Sequence, residues 1–282
     1  MTTIIGNRLN SANKKVLDRM NKMDFEFIRR ETRCQIEYGA DFIELNAISL
    51  LHNEIPFLKA AIPILEGIGA KVMVISENAD ALREALLVSK KETIIGAVEF
   101  DLEKINYLLD PIKKRKAKMI ALIKEKGHNS YYSPEKSLLI AQQYVDYLLD
   151  NGIRREDILL DPMVRPLEES FSNGKIFLNT LELFKLDFPQ VKTLANVSSL
   201  SEGLPKKQII VSYFVSLALC RGLDYIVANV LDENVLESII TTLSIIGKDK
   251  NLHSYLRYCR NHKECKQKGI KDGGSKNKRN SD

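Results

Sequence analysis

Eight short apolar runs, each followed by a segment with the spacing of an amphipathic helix, are the feature that most constrains the fold of this chain. The runs occupy residues 3–6, 41–46, 71–76, 93–98, 118–123, 157–162, 191–196 and 224–229. They are continuously apolar, which is typical of parallel strands covered on both faces. Eight strand–helix units within about 250 residues are typical of a (β/α)8 barrel. We therefore predict an α/β fold, a single-domain TIM barrel over residues 1–247.

A doubly wound open sheet is the alternative fold. It usually has fewer units and a glycine-rich turn after the first strand. Here the first run continues as "GNRLN", which lacks that turn. Both observations favour the barrel.

Several of the intervening helices have recognisable start and stop signals. Ser133 and Pro134 suit the N-cap and the first position of a helix that stops at Gly152. Asp232 is expected to cap the last barrel helix, which ends near Gly247. The segment that begins at Phe25 has an apolar face of helical period.

The formal charge of +5 is unevenly distributed along the chain. Residues 248–282 carry eleven Lys and Arg against four Asp and Glu, whereas residues 1–247 carry 31 against 33. The end of the chain, "KQKGIKDGGSKNKRNSD", has no apolar run that could offset the entropy lost on ordering it. We predict a basic C-terminal extension over residues 248–282 that is disordered from about residue 266. A nucleic-acid partner would depend on this tail alone and is not expected.

Cysteine usage and hydropathy indicate a cytoplasmic protein without a membrane anchor. The four cysteines are few and scattered, which fits reduced thiols better than a disulfide framework. No secretory signal is recognised, and no apolar run approaches the roughly 20 residues that span a bilayer. A zinc site is not expected, because paired CxxC spacing is lacking in the one candidate cluster: His253, Cys259, His262 and Cys265.

In a (β/α)8 barrel the functional side chains follow the carboxyl ends of the strands. Amides and isolated charges dominate these positions here, with His128 as the one histidine and no recognisable Ser-His-Asp set. Such groups suit a pocket for a flat heterocycle that presents several hydrogen-bond donors and acceptors. The candidates include Asn7, Arg8, Asn10, Asn46, Ser76, Glu77, Glu99, Asp161, Arg165, Asn196 and Asn229.

Four segments, taken in order, resemble the motifs of pterin-binding barrels. "IIGNRLN" is similar to the opening "IGERIN", and "FIELNA" to the second-strand "LDLN". "LDPM" is similar to the sixth-strand "IDP", and "NVSSLSEGLPKKQ" to the seventh loop "SNVSxGLPNR". The branch that the chain resembles is that of the methyltetrahydrofolate:corrinoid methyltransferases, with dihydropteroate synthase as a more distant cousin.

The resemblance implies an enzyme that moves the N5-methyl group of methyltetrahydrofolate, or of a related pterin, to the cobalt of a corrinoid (cobalamin). In that family the corrinoid is carried by a separate partner protein, and the barrels form homodimers. The substrate is then a tetrahydrofolate-type pterin, and no metal is held by the chain itself.

The resemblance also assigns roles to individual residues. Asn196 matches the family's asparagine that contacts N5, which makes it the candidate catalytic residue, and Asp161 matches the aspartate that anchors the pyrimidine edge. Lys207 matches the basic residue of "GLPNR", although a lysine cannot form the bidentate contacts of an arginine. The further expected pterin-binding residues are Asn10, Asn46, Ser76, Gly96 and Ser198.

Two of these positions depart from the family pattern. The family has an aspartate after the third strand and an asparagine after the fourth. The matching positions of this chain are Ser76 and Gly96. Losing one charge-assisted and one neutral hydrogen bond costs about 2 to 4.5 kcal/mol together. Glu77 and Glu99 are candidates to compensate, provided that the loops turn their side chains inward.

These departures leave two alternatives open. The chain could be a non-catalytic or altered-ligand paralogue that acts as a binding subunit for a corrinoid protein. A weaker alternative is dihydropteroate synthase, whose basic residues at the later strand ends are not found in convincing positions.

Overall fold

The computed structural model describes residues 2–125, 127 and 132–260, and it forms a closed barrel of eight parallel strands in the order β1 to β8. Every strand pairs in parallel with the next one along the chain, and β8 closes the ring by pairing with β1. The predicted (β/α)8 fold is thus confirmed. The strands are β1 (Thr3–Asn10), β2 (Phe42–Asn46), β3 (Val72–Ile75), β4 (Thr93–Phe100), β5 (Lys118–Glu125), β6 (Ile158–Asp161), β7 (Lys192–Asn196) and β8 (Tyr225–Ala228).

Helices surround the barrel, and at least one follows every strand. The predicted signals are confirmed: the Ser133 side chain accepts a hydrogen bond from the Lys136 N–H, and Asp232 caps the last barrel helix. The helices are α1 (Lys14–Asn21), α2 (Phe25–Glu37), α3 (Glu54–Gly67), α4 (Ala79–Val88), α5 (Leu102–Arg115), α6 (Pro134–Asp150), α7 (Asn173–Asp187), α8 (Lys207–Cys220) and α9 (Glu233–Ile245).

Three strands continue beyond the predicted runs. β1 extends through Asn10, so Asn7, Arg8 and Asn10 belong to the strand and not to the loop after it. The pairing register shifts between Gly6 and Leu9, which marks a bulge that turns the polar end of the strand. β4 and β5 likewise extend to Phe100 and Glu125. The ends of these three strands are polar, and for that reason their sequences predict loops instead of strands.

Side chains that point into the barrel form stacked layers of four. Inward positions alternate along each strand, and an eight-stranded barrel with a shear of eight staggers neighbouring strands by one residue. Applied to the pairing register, this stagger gives two apolar lower layers. Their members form one buried cluster: Phe42, Ile94, Leu159 and Tyr225 in the first layer, and Ile5, Met73, Ile120 and Leu194 in the second.

The next two layers upward differ in chemistry. The third layer contains Glu44, Gly96, Asp161 and Val227, by the same register. The fourth contains Asn7, Ile75, Leu122 and Asn196 and is partly accessible. The barrel is therefore filled with apolar side chains at its lower end and is polar at the carboxyl ends of its strands.

The chain continues past the barrel as ordered structure up to the last described residue. Asp249 accepts hydrogen bonds from the Ser254 and Tyr255 N–H groups at the start of a helical segment over residues 253–260. The part predicted to be disordered, from about residue 266, lies outside the described residues. Among residues 2–125, 127 and 132–260, no helix is long and apolar enough to cross a membrane.

Gly96→Ala tests the packing of the third layer. A Cβ atom at this position would lie 2.6 Å from the Cβ atom of Ile120, so the side chain or the strand must move. We expect a loss of about 1 to 3 kcal/mol in the free energy of unfolding, as for other overpacked cores. Urea denaturation measures it.

Gly67→Ala is the matched control for that substitution. Gly67 ends α3, and a Cβ atom there would meet nothing within 4 Å. An alanine should leave the stability unchanged or raise it by up to about 1 kcal/mol. Equal effects of the two substitutions would contradict the packing argument.

Candidate active site at the mouth of the barrel

The polar mouth is built by one repeated local structure at the strand ends. In each case a side-chain oxygen accepts a hydrogen bond from the backbone N–H two residues further on, as in an Asx turn. The acceptors and distances are Asn10 to Ala12 (2.9 Å), Asn46 to Ile48 (3.4 Å), Asp161 to Met163 (2.9 Å), Asn196 to Ser198 (3.2 Å) and Asn229 to Leu231 (3.2 Å). The same residues thus terminate the strands and define the mouth.

This turn fixes which end of each amide can serve a ligand. The oxygen of Asn196 caps the short 3-10 helix over Val197–Ser201, so its amide nitrogen is the end left to donate toward the barrel mouth. Asn196 is half-buried in the uppermost layer. Closing a turn and donating to a ligand are therefore compatible roles for this residue.

Asp161 lies one layer below Asn196 and on the neighbouring strand. One carboxyl oxygen is held by the Met163 N–H, and burial raises the pKa of Asp161 to about 6. The group is therefore mostly ionised at neutral pH. An ionised carboxylate accepts hydrogen bonds only, which suits a ligand edge that carries N–H donors.

Glu44 is the second carboxyl group of the same layer, on β2. Its side chain is 3% exposed, and the Asn10 amide nitrogen lies 3.4 Å from its Oε1 atom. Burial raises the pKa of Glu44 to about 8, against a smaller lowering by Asn46, so the group is mostly neutral at pH 7. Glu44 is not among the residues that the sequence predicts for the site. The available signal was an acid inside an apolar strand, two residues before Asn46 and hence on the same face.

The two departures at β3 and β4 take a specific form in the structure. Ser76 is fully buried, and its hydroxyl accepts a hydrogen bond from the Asn78 N–H at 2.9 Å. The residue of β3 that faces the barrel interior is Ile75, which packs against the apolar cluster of the lower layers. Gly96 faces the interior and offers no side chain. This side of the mouth is therefore apolar.

The two candidates for compensation have different surroundings. Glu77 is exposed, and its backbone oxygen accepts a hydrogen bond from the Lys104 ammonium at 2.8 Å. Glu99 lies within β4 and forms an ion pair with Lys124 at 3.4 Å. Compensation by either residue remains a prediction.

The other residues expected to contact a ligand lie in different surroundings. Ser198 is half-buried beside Asn196, whereas Lys207 is exposed at the first position of α8. Arg165 lines a small pocket of about 30 Å³ together with Pro162 and Met163, next to Asp161. Arg8 points away from the mouth and pairs with Glu31 of α2 at 2.8 Å, so it ties the first strand to a helix.

No cluster of three or more metal-ligating side chains occurs among the residues that the structure describes. Cys34, Cys220 and Cys259 are free thiols. His128, His262 and Cys265 lie outside the described residues, so the predictions for them are not addressed by the structure.

The barrel is similar in fold to solved structures of dihydropteroate synthases. The solved structures that match include dihydropteroate synthase from Anaplasma phagocytophilum with bound 6-hydroxymethylpterin-monophosphate (TM-score 0.61, 19% identity, 86% of this chain and 99% of that one). Dihydropteroate synthase from Clostridium difficile gives a TM-score of 0.65 at 19% identity, over 86% of this chain and 96% of that one. At these identities the likeness concerns the fold.

A curated relative is similar in sequence over nearly the whole chain. The methylcorrinoid:tetrahydrofolate methyltransferase of Eubacterium limosum is 23% identical over 263 residues, which cover 92% of this chain and 97% of the relative. No protein-family model matches the chain. The resemblance to the pterin-binding barrel methyltransferases that the motifs predict is confirmed by these two kinds of similarity.

Glu44→Gln tests the state of the buried acid through stability. Because the folded protein keeps the Glu44 proton up to pH 8 and the unfolded chain releases it near pH 4.5, the free energy of unfolding falls as pH rises between these values. Glutamine has no such proton, so the variant should gain up to about 4 kcal/mol on the wild type between pH 5 and pH 8.5.

Urea denaturation at the two pH values measures this gain. Asp161 contributes equally to both proteins and cancels from the difference. A stability difference between Glu44→Gln and wild type that is the same at pH 5 and pH 8.5 would show that Glu44 is not buried as a neutral acid.

Proposed function

We propose that this protein is a methyltransferase that moves a methyl group between N5 of a tetrahydrofolate and the cobalt of a corrinoid carried by a separate protein. The observation that carries the proposal is that Asp161 and Asn196 lie on adjacent strands, one layer apart at the mouth. Asp161 offers a carboxylate that accepts hydrogen bonds, and Asn196 offers an amide that donates one. The whole-length similarity to a methylcorrinoid:tetrahydrofolate methyltransferase supports it.

The reaction requires a change of charge at N5. When the methyl group leaves methyltetrahydrofolate, the N5–carbon bond breaks and its electron pair stays on N5, while Co(I) supplies the electron pair of the new cobalt–carbon bond. Either a proton on N5 or a strong hydrogen bond donated to its lone pair makes the amine a better leaving group. In the opposite direction N5 gains the methyl group and gives up a proton. A hydrogen-bond donor aimed at the lone pair of N5 lowers the free energy of the transition state by electrostatic stabilisation, and both directions of the reaction pass through that state.

Asn196 is the residue that supplies this donor. Its oxygen accepts a hydrogen bond from the Ser198 N–H, so rotation of the amide would cost that hydrogen bond, which favours the nitrogen as the group that donates to N5. A donor that is fixed before the substrate binds need not be reorganised during the reaction.

Asp161 orients the ring. Its carboxylate can accept hydrogen bonds from the amino group and the ring N–H of an amino-oxo-pyrimidine edge. Asn10, Asn46, Ser198 and Lys207 surround the same mouth and complete the proposed pterin site. The site differs from the family pattern at β3 and β4, where Ile75 and Gly96 present no polar group.

The test is a methyl-transfer assay with methyltetrahydrofolate and reduced cobalamin, followed by absorbance of methylcobalamin. It should be run also in the reverse direction, which is the one that the relative's name describes. Asn196→Ala should lower the rate by about 100-fold or more, as the loss of one preorganised donor does in other enzymes. The affinity for the folate should change much less.

Asn234→Ala is the matched control, because Asn234 is an exposed asparagine on α9. It should leave the rate unchanged. The proposal is overturned if the folded wild type transfers no methyl group in either direction with any methyl-pterin tested.

A second candidate function is favoured by the apolar positions at β3 and β4. In that case the barrel binds a corrinoid protein without performing the chemistry. Calorimetric titration separates the two: binding of a corrinoid protein together with undetectable tetrahydrofolate binding would support this candidate. Micromolar folate binding would remove its basis.

We also infer a homodimer, formed through α8. This helix carries no charged residue between Gln208 and Cys220, and its outer face exposes Ile209, Tyr213 and Leu217 at a spacing of four residues. Tyr213 is 73% exposed. An uncharged stripe can face its own copy across a two-fold axis without repulsion between like charges.

Light scattering coupled to size exclusion tests this interface. The wild type should have twice the mass of the chain, and Tyr213→Asp combined with Leu217→Lys should have the mass of one chain with the same helical content. A monomeric wild type at micromolar concentration would overturn the inference.

A further inference from the structure

The third layer of the barrel contains two carboxyl groups on opposite walls. β2 and β6 are four strands apart in a closed ring of eight, so Glu44 and Asp161 face each other across the barrel at the same height. The other two members of the layer are Gly96, which has no side chain, and Val227. Directly below are the two apolar layers, so this layer is the floor of the mouth.

We propose that Glu44 is a pterin-binding residue whose carboxyl group donates a hydrogen bond to the bound ring from the wall opposite Asp161. This inference rests on the proposed function. Glu44 matches the aspartate of the "LDLN" motif that the second strand resembles, and it is one methylene longer. Its carboxyl group lies beside the side chains of Asn10 and Asn46, on a floor to which β4 contributes only Gly96.

The chemistry of the ring favours two unlike carboxyl groups. One edge of a pterin presents an amino group and a ring N–H, which donate, while its oxo group and ring nitrogens accept. An ionised carboxylate serves the first edge, and a neutral carboxylic acid can serve the second because it still has an O–H to donate. Two carboxyl groups with different pKa values in one site are a recurring basis for such a division of roles.

The surroundings of Glu44 keep it neutral. The Asn10 amide on β1 and Asn46 on its own strand are uncharged, and Met73 and Ile75 of the neighbouring β3 are apolar. Arg8 is turned outward to Glu31, and the Lys124 ammonium is paired with Glu99. Within residues 2–125, 127 and 132–260, the charged group that faces Glu44 is Asp161, a carboxylate, which disfavours a second negative charge.

These roles predict an optimum in the affinity for the pterin. Binding needs Asp161 without its proton and Glu44 with its proton, and the pKa values of about 6 and about 8 place the optimum between these limits. Above pH 8 the fraction of protein with the proton on Glu44 falls, and the apparent dissociation constant rises in inverse proportion to that fraction.

The experiment is calorimetric titration of tetrahydrofolate under anaerobic conditions from pH 5 to pH 9.5. For the wild type, Kd should rise about tenfold or more between pH 7 and pH 9.5. Glu44→Gln keeps an N–H donor at the same length, so its Kd should stay near the wild-type value at pH 7 and lose the rise at high pH. Glu44→Leu has no donor at any pH, so its Kd should lie about tenfold or more above the wild-type value at pH 7 and should not rise further by pH 9.5.

Two controls separate Glu44 from other sources of pH dependence. Ionisation of the ligand itself appears equally in all variants and cancels between wild type and Glu44→Gln. Asp161→Asn should abolish the rise of Kd below pH 6 and keep the rise of Kd above pH 8. Glu103→Gln, an exposed acid on α5, should behave as the wild type.

Each outcome decides between the two claims. If the wild type binds tetrahydrofolate and both Glu44 variants show its affinity and its pH profile, the role of Glu44 is overturned while the proposed function stands. If the wild type binds no tetrahydrofolate at any pH, both fail. Should the leucine variant not fold, as circular dichroism would show, the high-pH limb of Glu44→Gln still decides.

Discussion

The closure of eight parallel strands with a fixed stagger is the constraint on which the rest of this structure depends. It assigns every inward side chain to a layer of four and allows each layer only as much volume as the ring encloses. Two layers of large apolar side chains fill the lower half of the barrel. The third layer contains a glycine and two carboxyl groups, so it is not filled by large apolar side chains as the layers below it are.

Burying two carboxyl groups in one layer disfavours their charged forms, because they lose hydration. The two walls of the barrel offset this loss in different ways. Asp161 has a backbone N–H as partner, which favours its ionised form and offsets part of the effect of burial. Among the described residues, Glu44 has the Asn10 amide nitrogen at 3.4 Å as a partner and no cation, so the neutral, protonated form is favoured. Similar side chains at the same height thereby acquire opposite hydrogen-bonding capacities, because a neutral acid donates and a carboxylate accepts.

The sequence predicted the architecture because apolar runs and helix caps are local signals. It placed all eight strands, and Asp161 and Asn196 at the ends of two of them. It did not predict the length of β1, because a bulge accommodates polar residues that read as a loop. Nor did it show that Ile75, and not Ser76, faces the barrel interior. A shift of one residue exchanges the two faces of a strand, and only the pairing register fixes that choice. Glu44 is a different case, because alternation along β2 already places it on the same face as Asn46.

The apolar lower layers have a consequence for the order of events. They plug the barrel from below, so the mouth at the carboxyl ends of the strands is the one approach to Asp161 and Asn196 along the barrel axis. In the proposed reaction the folate and the corrinoid protein must share this opening. The small substrate then has to enter first and leave last, because a docked protein closes the entrance. For the proposed reaction, the filled lower end of the barrel therefore leads us to expect a compulsory order of binding, with the folate before the corrinoid protein.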